Sequence, residues 1–123
     1  MSLIHKLQRT CVVSYLGAVA LQVYMMGLAL FGVTSFTPHA LLGYGMILGA
    51  AILTVLTVSA RLPRRAQLLA LAVLLLTILQ PVLVLALRGA PLLAALHPLN
   101  ALAIFALAAT VARSTVKPAS AAG

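Results

Sequence analysis

Not one aspartate or glutamate occurs in this 123-residue chain, and its eight lysines and arginines fall in short clusters between long apolar runs. Water-soluble chains carry about a quarter charged residues of both signs; here 7% are charged, all basic, and 64% are hydrophobic. Such a chain meets the demands of its backbone inside a bilayer, where helices satisfy their own hydrogen bonds. The class is integral membrane protein, and the length allows one small domain.

Four stretches, residues 11–33, 38–60, 66–87 and 91–112, are apolar for long enough to cross about 30 Å of hydrocarbon. Charged or proline-bearing turns separate them at Thr34–Pro38, Arg61–Arg65 and Arg88–Pro91. Short links of this kind predict an all-α membrane protein, an up-down-up-down four-helix transmembrane bundle. Residues 1–10 are then a cytoplasmic N-terminal segment, 11–112 the transmembrane domain and 113–123 a disordered cytoplasmic tail. Lys6, Arg9, Arg61, Arg64, Arg65, Arg113 and Lys117 fall on one side of the membrane and Arg88 alone on the other. Excess cations mark the cytoplasmic face, so both termini are expected there, in a bacterial cytoplasmic membrane. Ala18-Val19-Ala20 resembles a signal-cleavage site, but the apolar run continues past it and reads as a retained first span.

The missing carboxylates exclude whole classes of chemistry: acid–base pairs, glycosidase-type dyads, antiport through a buried glutamate and carboxylate-bridged metal pairs. The single cysteine, Cys11, can form no internal disulfide and sits in no metal- or haem-attachment spacing, so it reads as a small buried hydrophobe. Clustered cations between apolar runs suit lipid head groups rather than nucleic acid.

Against this background four polar residues stand out. Gln22 precedes His39 by seventeen positions, and Gln80 precedes His97 by the same number. A shift of 58 residues carries the first pair onto the second, Gly43 onto Ala101, and Ala50-Ala51 onto Ala108-Ala109. The bundle is therefore expected to be built from two repeated helical hairpins running in the same direction, related by an axis along the membrane normal. Spans two and four then lie on one diagonal, with His39 and His97 at equal depth near the outer face. Gly43 and Ala101, one turn inward of each, leave room for a flat ring.

Two neutral imidazoles facing across a bundle are suitable axial ligands for haem iron. Each would need its second ring nitrogen held, with Ser35, Thr37 or nearby carbonyls as candidates. Arg88 is the one outer cation, placed to meet a haem propionate. Gln22 and Gln80 are expected near the middle of the membrane, as amide contacts between helices in the first instance, and at a different depth from the histidines. Met25, Met26 and Met46 read as core packing, Gly45 and Gly49 as a close-approach pair, and Tyr15, Tyr24 and Tyr44 as packing or interfacial residues. Asn100, three residues past His97, is placed to touch a bound group. Taken singly, each histidine reads as an interfacial residue; only the pair points to ligation.

The segments Pro38-His39-Ala40-Leu41-Leu42-Gly43-Tyr44 and Leu96-His97-Pro98-Leu99-Asn100-Ala101, each opening an even-numbered span, resemble a widespread family of small uncharacterised bacterial four-span proteins. They are also similar to the histidine-bearing helices in one four-helix half of haem A synthase and of related membrane b-type cytochromes. That resemblance implies His39 and His97 as axial ligands of haem b. The chain is half as long as haem A synthase and lacks its acidic residue near the haem, so the haem site carries over and the catalysis does not. The leading expectation is a membrane protein binding one b-type haem near its outer face, for electron transfer or haem handling. The alternative is a cofactor-free accessory or scaffold subunit, partnered by a larger membrane complex or by a second copy of itself. A small transporter ranks third, because only two neutral amides are expected at the midplane.

Overall fold

The computed structural model describes residues 2–85 and 88–115. Five helices occupy them: α1 Leu3–Leu30, α2 Thr37–Ser59, α3 Arg64–Leu85, α4 Pro91–Ala94 and α5 Leu96–Ser114. α1, α2, α3 and the combined α4–α5 segment are each long and apolar enough to cross a membrane. The protein is an all-α four-helix bundle with the composition of a multi-pass membrane protein. α1 packs beside α2, α2 beside α3, α3 beside α5 and α5 beside α1. α1 therefore faces α3 across one diagonal, and α2 faces α5 across the other.

Apart from Ala29 on α1 and Leu83 on α3, the buried positions of the four long helices alternate three and four residues apart. They are Gln8, Val12, Tyr15 and Val19 on α1, and Met46, Ala50, Leu53 and Thr57 on α2. On α3 and α5 they are Ala66, Ala70, Val73 and Thr77, then Ile104, Ala108 and Val111. A 3.5-residue period keeps one seam facing the partner helices only if the helices supercoil left-handedly, the packing of a coiled coil. The 58-residue shift maps this seam onto itself. Val12, Tyr15 and Val19 fall on Ala70, Val73 and Thr77, while Met46, Ala50 and Leu53 fall on Ile104, Ala108 and Val111, all buried. Ala50, Ala66, Ala70 and Ala108 in this seam let the backbones approach closely, the main source of stability between bilayer helices. The outward leucines and valines, Leu41, Leu48 and Val55 among them, are left exposed for lipid.

Both inter-helix turns after α1 and α2 use the same device. Gly32 at φ 73° and Arg61 at φ 52° stand just past the helix ends in the left-handed region. The next residues, Val33 and Leu62, donate back to the carbonyls of Leu28 and Thr57. This is the Schellman arrangement, which satisfies orphan carbonyls at a helix end.

Helix bounds differ from the hydropathy reading at two places. α1 starts at Leu3 and carries Lys6 and Arg9 within it, so the expected separate segment 1–10 is helical. Long basic side chains continue a helix while their charged heads reach the membrane surface. Arg113 and Ser114 belong to α5, whereas the remainder of the expected disordered tail, 116–123, lies outside the described residues, as do Lys117 and the end of the third apolar stretch at 86–87. The fourth span, expected to be continuous over 91–112, is broken at Ala95 between the short α4 and α5. Pro98 sits in the first turn of α5, where its missing N–H would have had no helical partner.

Candidate functional site

Three polar layers cross the bundle interior. At the end holding both termini, Gln8 Nε2 donates to Thr57 Oγ1 at 3.2 Å, and Thr57 passes its own proton to the Leu53 carbonyl at 2.7 Å. Neither residue has any exposed surface. At the centre, Tyr15 and Thr77 meet across the α1–α3 diagonal at 2.6 Å. Because the single Thr77 O–H is directed to the Val73 carbonyl, also at 2.6 Å, the phenol must be the donor and the threonine oxygen the acceptor.

The third layer holds the histidines. His39 opens α2 behind Thr37-Pro38, and His97 opens α5 behind the break at Ala95. Their rings approach across the α2–α5 diagonal with centroids 6.1 Å apart and planes inclined at 58°. His39 Nδ1 lies 3.1 Å from the Gln22 carbonyl, and His97 Nδ1 lies 3.2 Å from the Gln80 carbonyl. A carbonyl only accepts, so in both rings the proton sits on Nδ1, which leaves Nε2 as the nitrogen with a lone pair to offer. Among the described residues neither Nε2 has a hydrogen-bond partner. The seventeen-residue spacing is thus the reach of one bond, made identically in each hairpin.

This bond corrects two expectations. Each glutamine backbone touches its histidine ring, so the four residues form one layer and not two at different depths. The hydropathy window centred the first span on Gln22, whereas α1 begins eight residues earlier than that window and places Tyr15 nearer its middle. Second, of the candidates for holding the ring nitrogens it is nearby backbone carbonyls, those of Gln22 and Gln80, and not the Ser35 hydroxyl, which instead accepts the Thr37 N–H at 3.4 Å.

The amides complete the layer. Asn100 Nδ2 donates to the Leu76 carbonyl at 2.8 Å and to Gln80 Oε1 at 3.0 Å. Gln22 Oε1 is buried without a partner, and a Cβ built on Gly43 would stand 2.9 Å from Gln22 Nε2. Gly43 therefore makes room for the Gln22 amide. Ala101, its counterpart, is half-buried on α5, and Arg88 is exposed in the link between α3 and α4 at the same end of the bundle. Of the expected site residues, the two histidines are brought together and Gly43 lies one turn inward of His39, while Arg88 makes no side-chain hydrogen bond among the described residues. Met46 is buried in the core, as expected.

A model of one protein family matches residues 22–87, from the Gln22 layer through α2 to the end of the third apolar stretch. The chain belongs to DUF6220, a family of unknown function. The match spans Gln22, His39, Gly43 and Gln80; His97 and Asn100 lie beyond it. No curated protein and no solved structure matches the chain. Within this DUF6220 chain, the Gln8–Thr57 and Tyr15–Thr77 pairings are not foreseen by the sequence, although burial of Tyr15 agrees with its reading as a packing residue. The signal was the seven-residue step linking Gln8, Tyr15 and Gln22, which puts all three on one helical seam.

Proposed function

We propose that this protein holds one b-type haem between His39 and His97 near the outer face of a bacterial cytoplasmic membrane, with both termini in the cytoplasm, and serves electron transfer or haem handling. The observation that carries the reading is the paired imidazole geometry. Two imidazoles on opposite sides of one metal ion, each bonded at about 2 Å, stand with ring centroids about 6.3 Å apart. The 6.1 Å between the two rings is close to this. The shared Nδ1 bonds to Gln22 and Gln80 supply what ligand histidines need, a fixed tautomer and a fixed ring plane.

The donor chemistry suits the group, since each ring keeps Nε2 for ligation. The space beside Gly43 holds the Gln22 amide, which would turn aside to admit a macrocycle. Bound there, haem supplies reversible one-electron chemistry. The chain's own contribution is to orient the rings, to exclude water with the Leu and Val shell, and to offer Arg88 at the outer end for a propionate. The resemblance to membrane b-type cytochromes rests on the same two histidines.

A reduced-minus-oxidised visible spectrum of the detergent-purified protein tests the reading. Soret and α bands that disappear in His39→Ala and in His97→Ala support it. A folded, colourless protein from haem-sufficient cells overturns it and favours the cofactor-free accessory subunit, in which the two Nδ1 bonds act only as contacts between helices.

A further inference from the structure

The link between α2 and α3 carries three of the chain's eight lysines and arginines within five positions, Arg61, Arg64 and Arg65. A surplus of cations at one end of a membrane bundle is ordinary, but the places these three occupy are not. Arg61 stands at φ 52°, in the left-handed region that penalises a Cβ, where the matching turn after α1 uses Gly32 at φ 73°. Arg64 and Arg65 fill the first turn of α3, where the helix dipole favours an anion and works against a cation. All three side chains are exposed, and the chain has no Asp or Glu to pair with them. The turn that carries them is pinned. Leu62 is buried with Ala60 and Ala66 against Ile4 of α1, its N–H reaches the Thr57 carbonyl at 3.3 Å, and its carbonyl accepts Gln67 Nε2 at 2.8 Å. A backbone ordered beforehand lowers the cost of binding.

We propose that Arg61, Arg64 and Arg65 together bind the phosphate of an anionic phospholipid. Guanidinium groups match phosphate oxygens in pairs, and one bound anion offsets both the left-handed strain at Arg61 and the unfavourable dipole at Arg64 and Arg65. Lipid is the source because residues 60–63 alone separate two helices that are each long enough to cross a membrane. So short a link stays at the level of the lipid phosphates. A zwitterionic head group carries its own cation beside the phosphate, so three arginines favour a lipid of net negative charge.

Native mass spectrometry of the full-length protein in neutral detergent, titrated with phosphatidylglycerol and with phosphatidylcholine, tests the assignment. Wild type is expected to bind its first phosphatidylglycerol about tenfold more tightly than phosphatidylcholine, about the value of one charge-assisted hydrogen bond. Arg61→Gly should lose most of that preference while its melting temperature in lipid-free detergent shifts upward, because glycine relieves the left-handed strain. Binding and stability then move in opposite directions, which an unfolding defect does not produce. The double variant Arg64→Gln, Arg65→Gln should also lose the preference, and it decides alone if Arg61→Gly fails to fold. Lys6→Gln and Arg113→Gln, at the same end of the bundle, should retain it. A preference that falls equally in all of these variants marks a general surface potential and overturns the site, as does equal uptake of the two lipids by wild type. Millimolar inorganic phosphate that displaces phosphatidylglycerol from wild type assigns the cluster to a free anion and overturns the lipid.

Discussion

Because the Thr77 proton is committed to the Val73 carbonyl, the Tyr15–Thr77 bond has a direction, and its two ends respond differently to deletion. Tyr15→Phe removes the donor and leaves Thr77 with its other bond intact, so the loss is one interhelical hydrogen bond, about 1 kcal/mol within a bilayer. Thr77→Val removes the acceptor and strands a phenol on a residue that is 4% exposed, at about 2–3 kcal/mol for the lost bond and the unpaired hydroxyl together. The double variant has no orphan, and is expected to cost about 1–1.5 kcal/mol. Tyr15→Phe should therefore rescue Thr77→Val. Unfolding in mixed micelles of increasing denaturing detergent, followed by circular dichroism, measures all four proteins on one scale. A double variant as unstable as the sum of the singles would refute the assigned direction.

Other consequences follow from the repeat and from the amides. Ala50 and Ala108 are both fully buried at equivalent positions, so Ala50→Leu and Ala108→Leu should each cost about 1–3 kcal/mol in the same unfolding assay; a harmless change at only one of them would contradict the two-fold seam. Asn100→Leu should cost about 1–3 kcal/mol, because it leaves Gln80 Oε1 buried without its donor; Asn100→Leu in a Gln80→Leu background should cost less. Single cysteines placed at Arg88 and at Arg64, in a Cys11→Ala background, should be labelled by an impermeant maleimide from opposite sides of intact cells or spheroplasts, with Arg88 outside; labelling of both from one side would reject the four-span topology.

Most of the architecture was legible because bilayer helices announce themselves by length and hydropathy, and because turns such as Arg61-Leu62-Pro63 cannot lie in hydrocarbon. The duplication was legible from four residues alone. Gln22, His39, Gln80 and His97 kept a spacing that leucine and alanine matches could not have established. Depth was not legible. A hydropathy window begins a span where charge ends, and α1 runs through Lys6 and Arg9, so Gln22 was assigned to the middle when it stands at the histidine layer. The Tyr15–Thr77 and Gln8–Thr57 pairs were hidden for another reason. Each joins two helices whose relative register is fixed only once the three-and-four seam is packed, and neither residue type marks a site in a chain where threonine and tyrosine also face lipid. Size alone singles out Gly43 in the sequence, yet its neighbour is the Gln22 amide, a contact that depends on the side chain's course and not on spacing.

The central claim is that one iron joins His39 to His97. Electron paramagnetic resonance of the oxidised, detergent-purified protein tests it most directly, since two imidazoles give low-spin ferric haem. A low-spin signal in wild type that becomes high-spin or is lost in both His39→Ala and His97→Ala is the predicted result. A high-spin wild-type signal, or a low-spin signal that survives the loss of either histidine, would contradict it.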